Sequence, residues 1–130
     1  ILRRGTTPSN LRIMMVGASN AWVSGFTLSN GYVTAADNYA IGAGLYLLSG
    51  WVENCRIVGN NAPGNGVAGG VWMAGGVLAA SEVLYNSGWI PANGIYMTGG
   101  LISRCRIAAG DTDRHGKPTT GEGRRRLRIG

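Results

Sequence analysis

Acidic residues are scarce in this chain, and the few present are scattered. Only 6 Asp and Glu and 1 His occur in 130 residues, and charged residues of both signs make up 14%. No carboxylates pair on one strand face as glycoside hydrolysis requires, and Asp111 with Asp113 supplies too few oxygens for Ca²⁺. We therefore predict no catalytic residues, no metal and no cofactor, and the enzyme hypothesis is disfavoured.

The chain also lacks a hydrophobic run long enough to cross a membrane as a helix. The stretch between Arg56 and Glu82 carries no charge, but Asn60, Pro63 and several glycines interrupt it. Its apolar part, Val67–Ala80, is shorter than the roughly 20 residues that a spanning helix needs. We predict no membrane span.

The excess of positive over negative charge is confined to the two ends of the chain. The formal net charge is +6, but residues 13–110 contain equal numbers of acidic and basic side chains. A neutral body does not favour specific nucleic-acid binding. The basic tail, residues 111–130, is a candidate segment for binding polyanions such as acidic polysaccharide, phospholipid headgroups or nucleic acid, although a solvated terminal run or an incomplete continuation of the repeats is the favoured interpretation. Its proposed binding residues are Arg124, Arg125, Arg126 and Arg128.

Glycine, by contrast, is abundant, and it marks a repeat. Three similar segments, Ala43–Asn60, Gly69–Asn86 and Asn93–Gly110, open at Gly44, Gly70 and Gly94, which are 26 and then 24 residues apart. Such a period indicates a solenoid, in which each unit buries its apolar face against its neighbours. The units contain short alternating runs and no helical pattern. We predict an all-β protein.

The alternation assigns an inside and an outside to each unit, because successive side chains of a strand point to opposite faces. Three interior positions recur in the three copies, with a corner predicted near Asn54, Ala80 and Arg104. They hold Val52, Cys55 and Ile57, then Leu78, Ser81 and Val83, then Ile102, Cys105 and Ile107.

A degenerate fourth copy lies upstream, where Val23, Phe26 and Leu28 fit the same interior positions. Leu11–Val16 is its predicted preceding strand, and Asn30–Gly42 and Asn61–Ala68 are predicted loops. The predicted architecture is a parallel β-helix of about four coils over residues 1–110, followed by the tail. The coils lie near residues 11–31, 43–60, 69–86 and 93–110.

Two outward positions of the repeat hold side chains that could bind a ligand or stabilise the sheet, one aromatic and one charged. Tyr46, Trp72 and Tyr96 share one position, and strands about 4.8 Å apart would align their rings into an exposed ladder. Such a ladder either binds sugar rings or stiffens the sheet, and the second interpretation is favoured. The other position holds Arg56, Glu82 and Arg106, which we interpret as a salt-bridging ladder.

Polar interior residues have structural interpretations. Cys55 and Cys105 share one interior position two coils apart, about 9.6 Å, which exceeds the roughly 7 Å limit for a disulfide. We expect buried free thiols. Asn60 and Asn86 end their copies at equivalent positions, which predicts an interior ladder of side-chain amides that bond the coils above and below.

The runs VSGFTLSNG, GLYLLSGWVENCRIVGNN and GGVWM resemble right-handed parallel β-helix repeats of pectin-lyase-fold proteins. They are most similar to the repeats of polymorphic outer-membrane proteins. The resemblance spans about Leu11–Gly110 and implies a right-handed β-helix. It implies little about activity, because this fold hosts lyases, hydrolases, adhesins and stalks.

The resulting functional hypothesis is a non-catalytic secreted or cell-surface segment that acts as an adhesin-like or structural scaffold. One alternative is a fragment of a polysaccharide-degrading enzyme, lyase or glycoside hydrolase, with its catalytic carboxylates in other coils. Another is a carbohydrate-binding module that uses Tyr46, Trp72 and Tyr96. Expected partners are a polysaccharide or cell-surface glycan, and further copies of the chain through the open coil ends.

Overall fold

A computed structural model describes residues 1–3, 5, 10–34, 41–89 and 94–108. The predicted basic tail, with Arg124, Arg125, Arg126 and Arg128, lies outside the described residues, and so does part of the Asn30–Gly42 segment. The described residues form strands, turns and bends and contain no helix. Parallel sheets stack as a β-solenoid of about 3 turns. The all-β solenoid is thus confirmed, and the predicted count of about four coils is slightly too high.

Three parallel sheets form the walls of the solenoid. The strands are β1 (Leu2–Arg3), β2 (Met14–Val16), β3 (Trp22–Ser24), β4 (Thr27–Ser29), β5 (Leu45–Leu47), β6 (Trp51–Glu53), β7 (Arg56–Val58), β8 (Asn61–Val67), β9 (Val71–Met73), β10 (Val77–Ala79), β11 (Glu82–Leu84), β12 (Ser87–Trp89), β13 (Ile95–Met97), β14 (Leu101–Ser103) and β15 (Arg106–Ala108). The first sheet has the strand order β13-β9-β5-β2, the second β14-β10-β6-β3 and the third β1-β4-β7-β11-β15. A smaller sheet pairs β12 with β8.

The register between coils is the predicted one. Leu78 lies opposite both Val52 and Ile102, and Val83 lies opposite both Ile57 and Ile107. All nine predicted interior residues are buried, Ser81 among them. The core is therefore a set of stacks along the solenoid axis. In each stack, an aliphatic side chain packs on its equivalent in the next coil, and both are removed from contact with water.

The corners between strands require an unusual backbone. Gly50, Gly76 and Gly100 turn the chain from the first sheet to the second with φ of 90°, 74° and 93°. At the next corner Asn54, Ala80 and Arg104 also have positive φ, of 49°, 44° and 53°, so the predicted corner is confirmed. Asparagine tolerates this left-handed conformation, whereas alanine and arginine do not favour it.

Two predictions for the first coil and the loops need correction. Phe26 does not enter the core, since it is 40% exposed, whereas Leu28 is fully buried. Asn61–Ala68 is not a loop, because β8 pairs in parallel with β12 and extends the wall by a short fourth sheet. Residues before Leu11 also contribute, since β1 pairs with β4 and covers the edge of the third sheet.

Candidate functional site

The interior asparagine ladder is confirmed, and it explains the glycines that open the first two of the three copies, Gly44 and Gly70. Asn60 Nδ2 donates to Asn86 Oδ1 at 3.0 Å and to Leu28 O at 3.0 Å, and Asn86 Nδ2 donates to Ile57 O at 2.9 Å. A Cβ at Gly44 would lie 2.7 Å from Asn60 Nδ2. Only glycine leaves room for the amide, so this ladder is a structural element that binds successive coils.

The predicted aromatic ladder, Tyr46, Trp72 and Tyr96, is present in register. The rings of Trp72 and Tyr96 stack with centroids 4.5 Å apart and an interplanar angle of 24°. All three side chains are half-buried rather than fully exposed. Stacked rings of this kind stabilise neighbouring strands, whatever ligand their free faces accept.

Arg12 covers the end of the aromatic ladder. Its guanidinium carbon lies 4.9 Å from the centroid of the Tyr46 ring, a cation–π geometry. Its Nε donates to Ile41 O and Gly42 O at 3.1 Å each, and its Nη2 donates to Ile41 O at 2.9 Å. Burial lowers the pKa of Arg12, and its interaction with Tyr46 opposes that shift. The ladder is thus closed at this end by the protein itself.

The charged outward position forms one ion pair in the described part of the chain. Arg106 Nη1 lies 3.3 Å from Glu82 Oε2, and both side chains are largely solvated. Arg56 is in register with Glu82 but forms no ion pair with it. An exposed pair of this kind contributes at most about 1 kcal/mol, so this position is a surface feature rather than a reactive one.

The interior position that holds Cys55, Ser81 and Cys105 does not have the features of a reactive thiol site. Cys55 and Cys105 are both buried and free, as expected. Burial raises the pKa of Cys105, against smaller opposing effects of backbone hydrogen bonds with Ser81 and Ser103 and of the Arg104 charge. A thiol with a raised pKa is a weak nucleophile. Ser81, between the two, accepts from the Cys55 N–H and donates to Ala79 O.

A different pair of aromatic residues, not singled out from the sequence, lines a groove on the second sheet. Trp22 and Trp51 lie opposite each other on β3 and β6, and they are 72% and 43% exposed. With Glu53 they line a surface groove of about 370 Å³, which we call the tryptophan groove. The sequence does contain a signal for it, since the dipeptide Trp-Val recurs in the two aligned copies.

The Glu53 carboxylate connects the two tryptophans. Trp22 Nε1 donates to Glu53 Oε1 at 3.0 Å, and Trp51 Nε1 donates to Glu53 Oε2 at 3.1 Å. Trp51 and Glu53 are two residues apart on one strand and so point to the same outward face. Each carboxylate oxygen thereby holds one indole, and the two rings are fixed relative to the negative charge.

The described residues contain neither a candidate metal site nor a candidate membrane-spanning helix. There, no three His, Cys, Asp or Glu side chains come together in a way that could hold a metal ion. Nor does any helix in that part of the chain have the length and apolar character to cross a membrane.

Comparisons with known proteins add no relative. No family model, no curated protein and no solved structure matches the chain. The parallel β-solenoid and its stacked repeats therefore rest on the sequence pattern and the coordinates alone.

Proposed function

We propose that this chain is a non-catalytic segment of a secreted or cell-surface β-helix, acting as a structural or adhesin-like scaffold. The specific fold we propose is the right-handed pectin-lyase type, with repeats like those of polymorphic outer-membrane proteins. The observation that carries the proposal is the continuous interior stacking, in which Asn60 and Asn86 bond successive coils through their side chains. Such stacking builds an extendable rod.

The outward rows support a scaffold more than a reaction centre. Trp72 stacks on Tyr96, and Glu82 contacts Arg106, rather than converging on one point. Catalysis requires reacting groups that converge within hydrogen-bond reach of a substrate. A fragment of a polysaccharide-degrading enzyme remains the alternative, with its reacting carboxylates in coils outside this chain.

A second candidate function, carbohydrate binding by the aromatic ladder, is favoured by the stacked rings of Trp72 and Tyr96. Tyr96 lies on β13, the end strand of its sheet in the described part of the chain, and the face of its ring turned away from Trp72 is a flat surface of the kind on which apolar sugar faces stack. Polyanion binding by Arg124, Arg125, Arg126 and Arg128, and self-association through coil ends, stay predictions.

The test combines uronate polymers with a glycan array. The full chain is incubated with pectate or alginate, and we expect polymer length to stay unchanged; cleavage would establish the enzyme alternative. On the array, Tyr96→Leu is compared with Tyr85→Leu, which removes an exposed tyrosine outside the ladder. Glycan binding that only Tyr96→Leu abolishes would favour the carbohydrate-binding module. The scaffold proposal expects that the aromatic ladder binds no glycan. The array should therefore show either no glycan binding or binding that neither variant changes.

A further inference from the structure

We infer that the tryptophan groove binds a quaternary ammonium group, such as the trimethylammonium end of choline. The site consists of Trp22, Trp51 and Glu53, and it is independent of the scaffold proposal. Three observations carry the inference: the two exposed indoles, the open groove of about 370 Å³ that they line with Glu53, and the carboxylate that both indoles hold.

The charge of the groove favours a cation over a neutral sugar. Along the second sheet the neighbours of Glu53 in register are Ser24, Ala79 and then Ser103, none of them charged. Within the described residues no Lys, Arg or His forms an ion pair with Glu53. Indole faces attract cations, and tryptophan does so more strongly than tyrosine or phenylalanine. The Glu53 carboxylate and the two indoles therefore both favour a cationic ligand.

The hydrogen bonds of the groove favour a quaternary ammonium over a primary one. Each oxygen of Glu53 already accepts an indole N–H, at 3.0 and 3.1 Å, so the carboxylate has only about two acceptor sites left for the three donors of a primary ammonium. A trimethylammonium group has no N–H to satisfy, so it needs only charge and a weakly hydrated contact surface. A lysine-like ammonium has three donors and is strongly hydrated, so it would lose more on leaving water.

The test is a titration of the full chain with choline chloride, followed by tryptophan fluorescence, with sodium chloride at matched ionic strength as the blank. Parallel titrations use methylammonium, glucose and 3,3-dimethylbutan-1-ol, the uncharged carbon analogue of choline. We expect a saturable response to choline, at least severalfold weaker binding of methylammonium, and no saturation with the two neutral compounds. Saturation by glucose or by the uncharged analogue as tight as by choline, or no response to choline, would overturn the inference.

Variants then locate the site. Glu53→Gln keeps an acceptor for an indole and removes the charge, and it should weaken choline binding about tenfold, the effect of losing one favourable charge contact. Glu82→Gln is the matched control, because it removes an exposed carboxylate from the neighbouring third sheet. Choline binding that Glu53→Gln leaves unchanged, or that both variants weaken equally, contradicts a site at the tryptophan groove. The wild-type titrations need no variant, so a folding defect leaves them valid.

Discussion

The aromatic ladder and the tryptophan groove are both outward rows of aromatic side chains, yet they differ in what surrounds them. In the ladder, Trp72 and Tyr96 stack on each other and Arg12 covers the ring of Tyr46. In the groove, Trp22 and Trp51 remain exposed, and their indoles hold a carboxylate. Parallel stacking therefore aligns aromatic residues, but the neighbouring segments determine whether the aligned rings stay accessible.

Both rows depend on the interior ladder that keeps the coils in register, so its disruption has the largest expected effect. Asn86→Ala removes the side-chain donor to Ile57 O and the acceptor shared by the Asn60 N–H and one Asn60 Nδ2 hydrogen inside the core. Unsatisfied buried groups cost about 1–3 kcal/mol each, so we expect a loss of about 3 kcal/mol in the free energy of unfolding. Denaturant titration measures it.

The control for Asn86→Ala is Asn61→Ala, which removes one part-buried acceptor for the Ser87 hydroxyl. Its expected cost is about 1 kcal/mol. Equal losses in the two variants would show that the interior position has no special role in holding the coils.

The next prediction compares the two rows directly. Trp72→Ala removes a half-buried, stacked ring, and we expect it to cost about 2 kcal/mol of unfolding free energy. Trp22→Ala removes a ring that is 72% exposed, and its expected cost is less than about 0.5 kcal/mol. Thermal and denaturant unfolding of both variants provide the measurement. A larger loss for Trp22→Ala would reverse our distinction between a structural and an accessible row.

A smaller loss of stability than that of Trp72→Ala is expected from removing the cover of the ladder. Arg12→Met keeps much of the aliphatic length but loses the bonds to Ile41 O and Gly42 O and the cation–π contact with Tyr46. We expect a cost of about 1 kcal/mol, below the usual range for charged hydrogen bonds because the guanidinium is only partly buried. Denaturant unfolding is compared with Arg56→Met, which changes an exposed arginine on β7 and should have almost no effect.

The sequence by itself determined the periodic features of this protein. The interior positions of Val52, Ile57 and their equivalents, the asparagine ladder and the shared position of Tyr46, Trp72 and Tyr96 were all predicted from a period-2 alternation repeated between copies. Such features are predictable because parallel stacking places equivalent residues one above another, so the alignment of copies is already an alignment in space.

Only the tertiary structure decided the contacts between side chains that do not occupy equivalent positions of the repeat. Phe26 fits an interior position in the alignment but lies outside, because the first coil is an imperfect copy. The cover of Tyr46 by Arg12 joins the segment before β2 to a turn about 30 residues later. The shared carboxylate of Trp22 and Trp51 requires side-chain rotamers that no repeat pattern specifies. A repeat determines which backbones are neighbours, whereas contacts between unlike side chains depend on the packing of the folded coils.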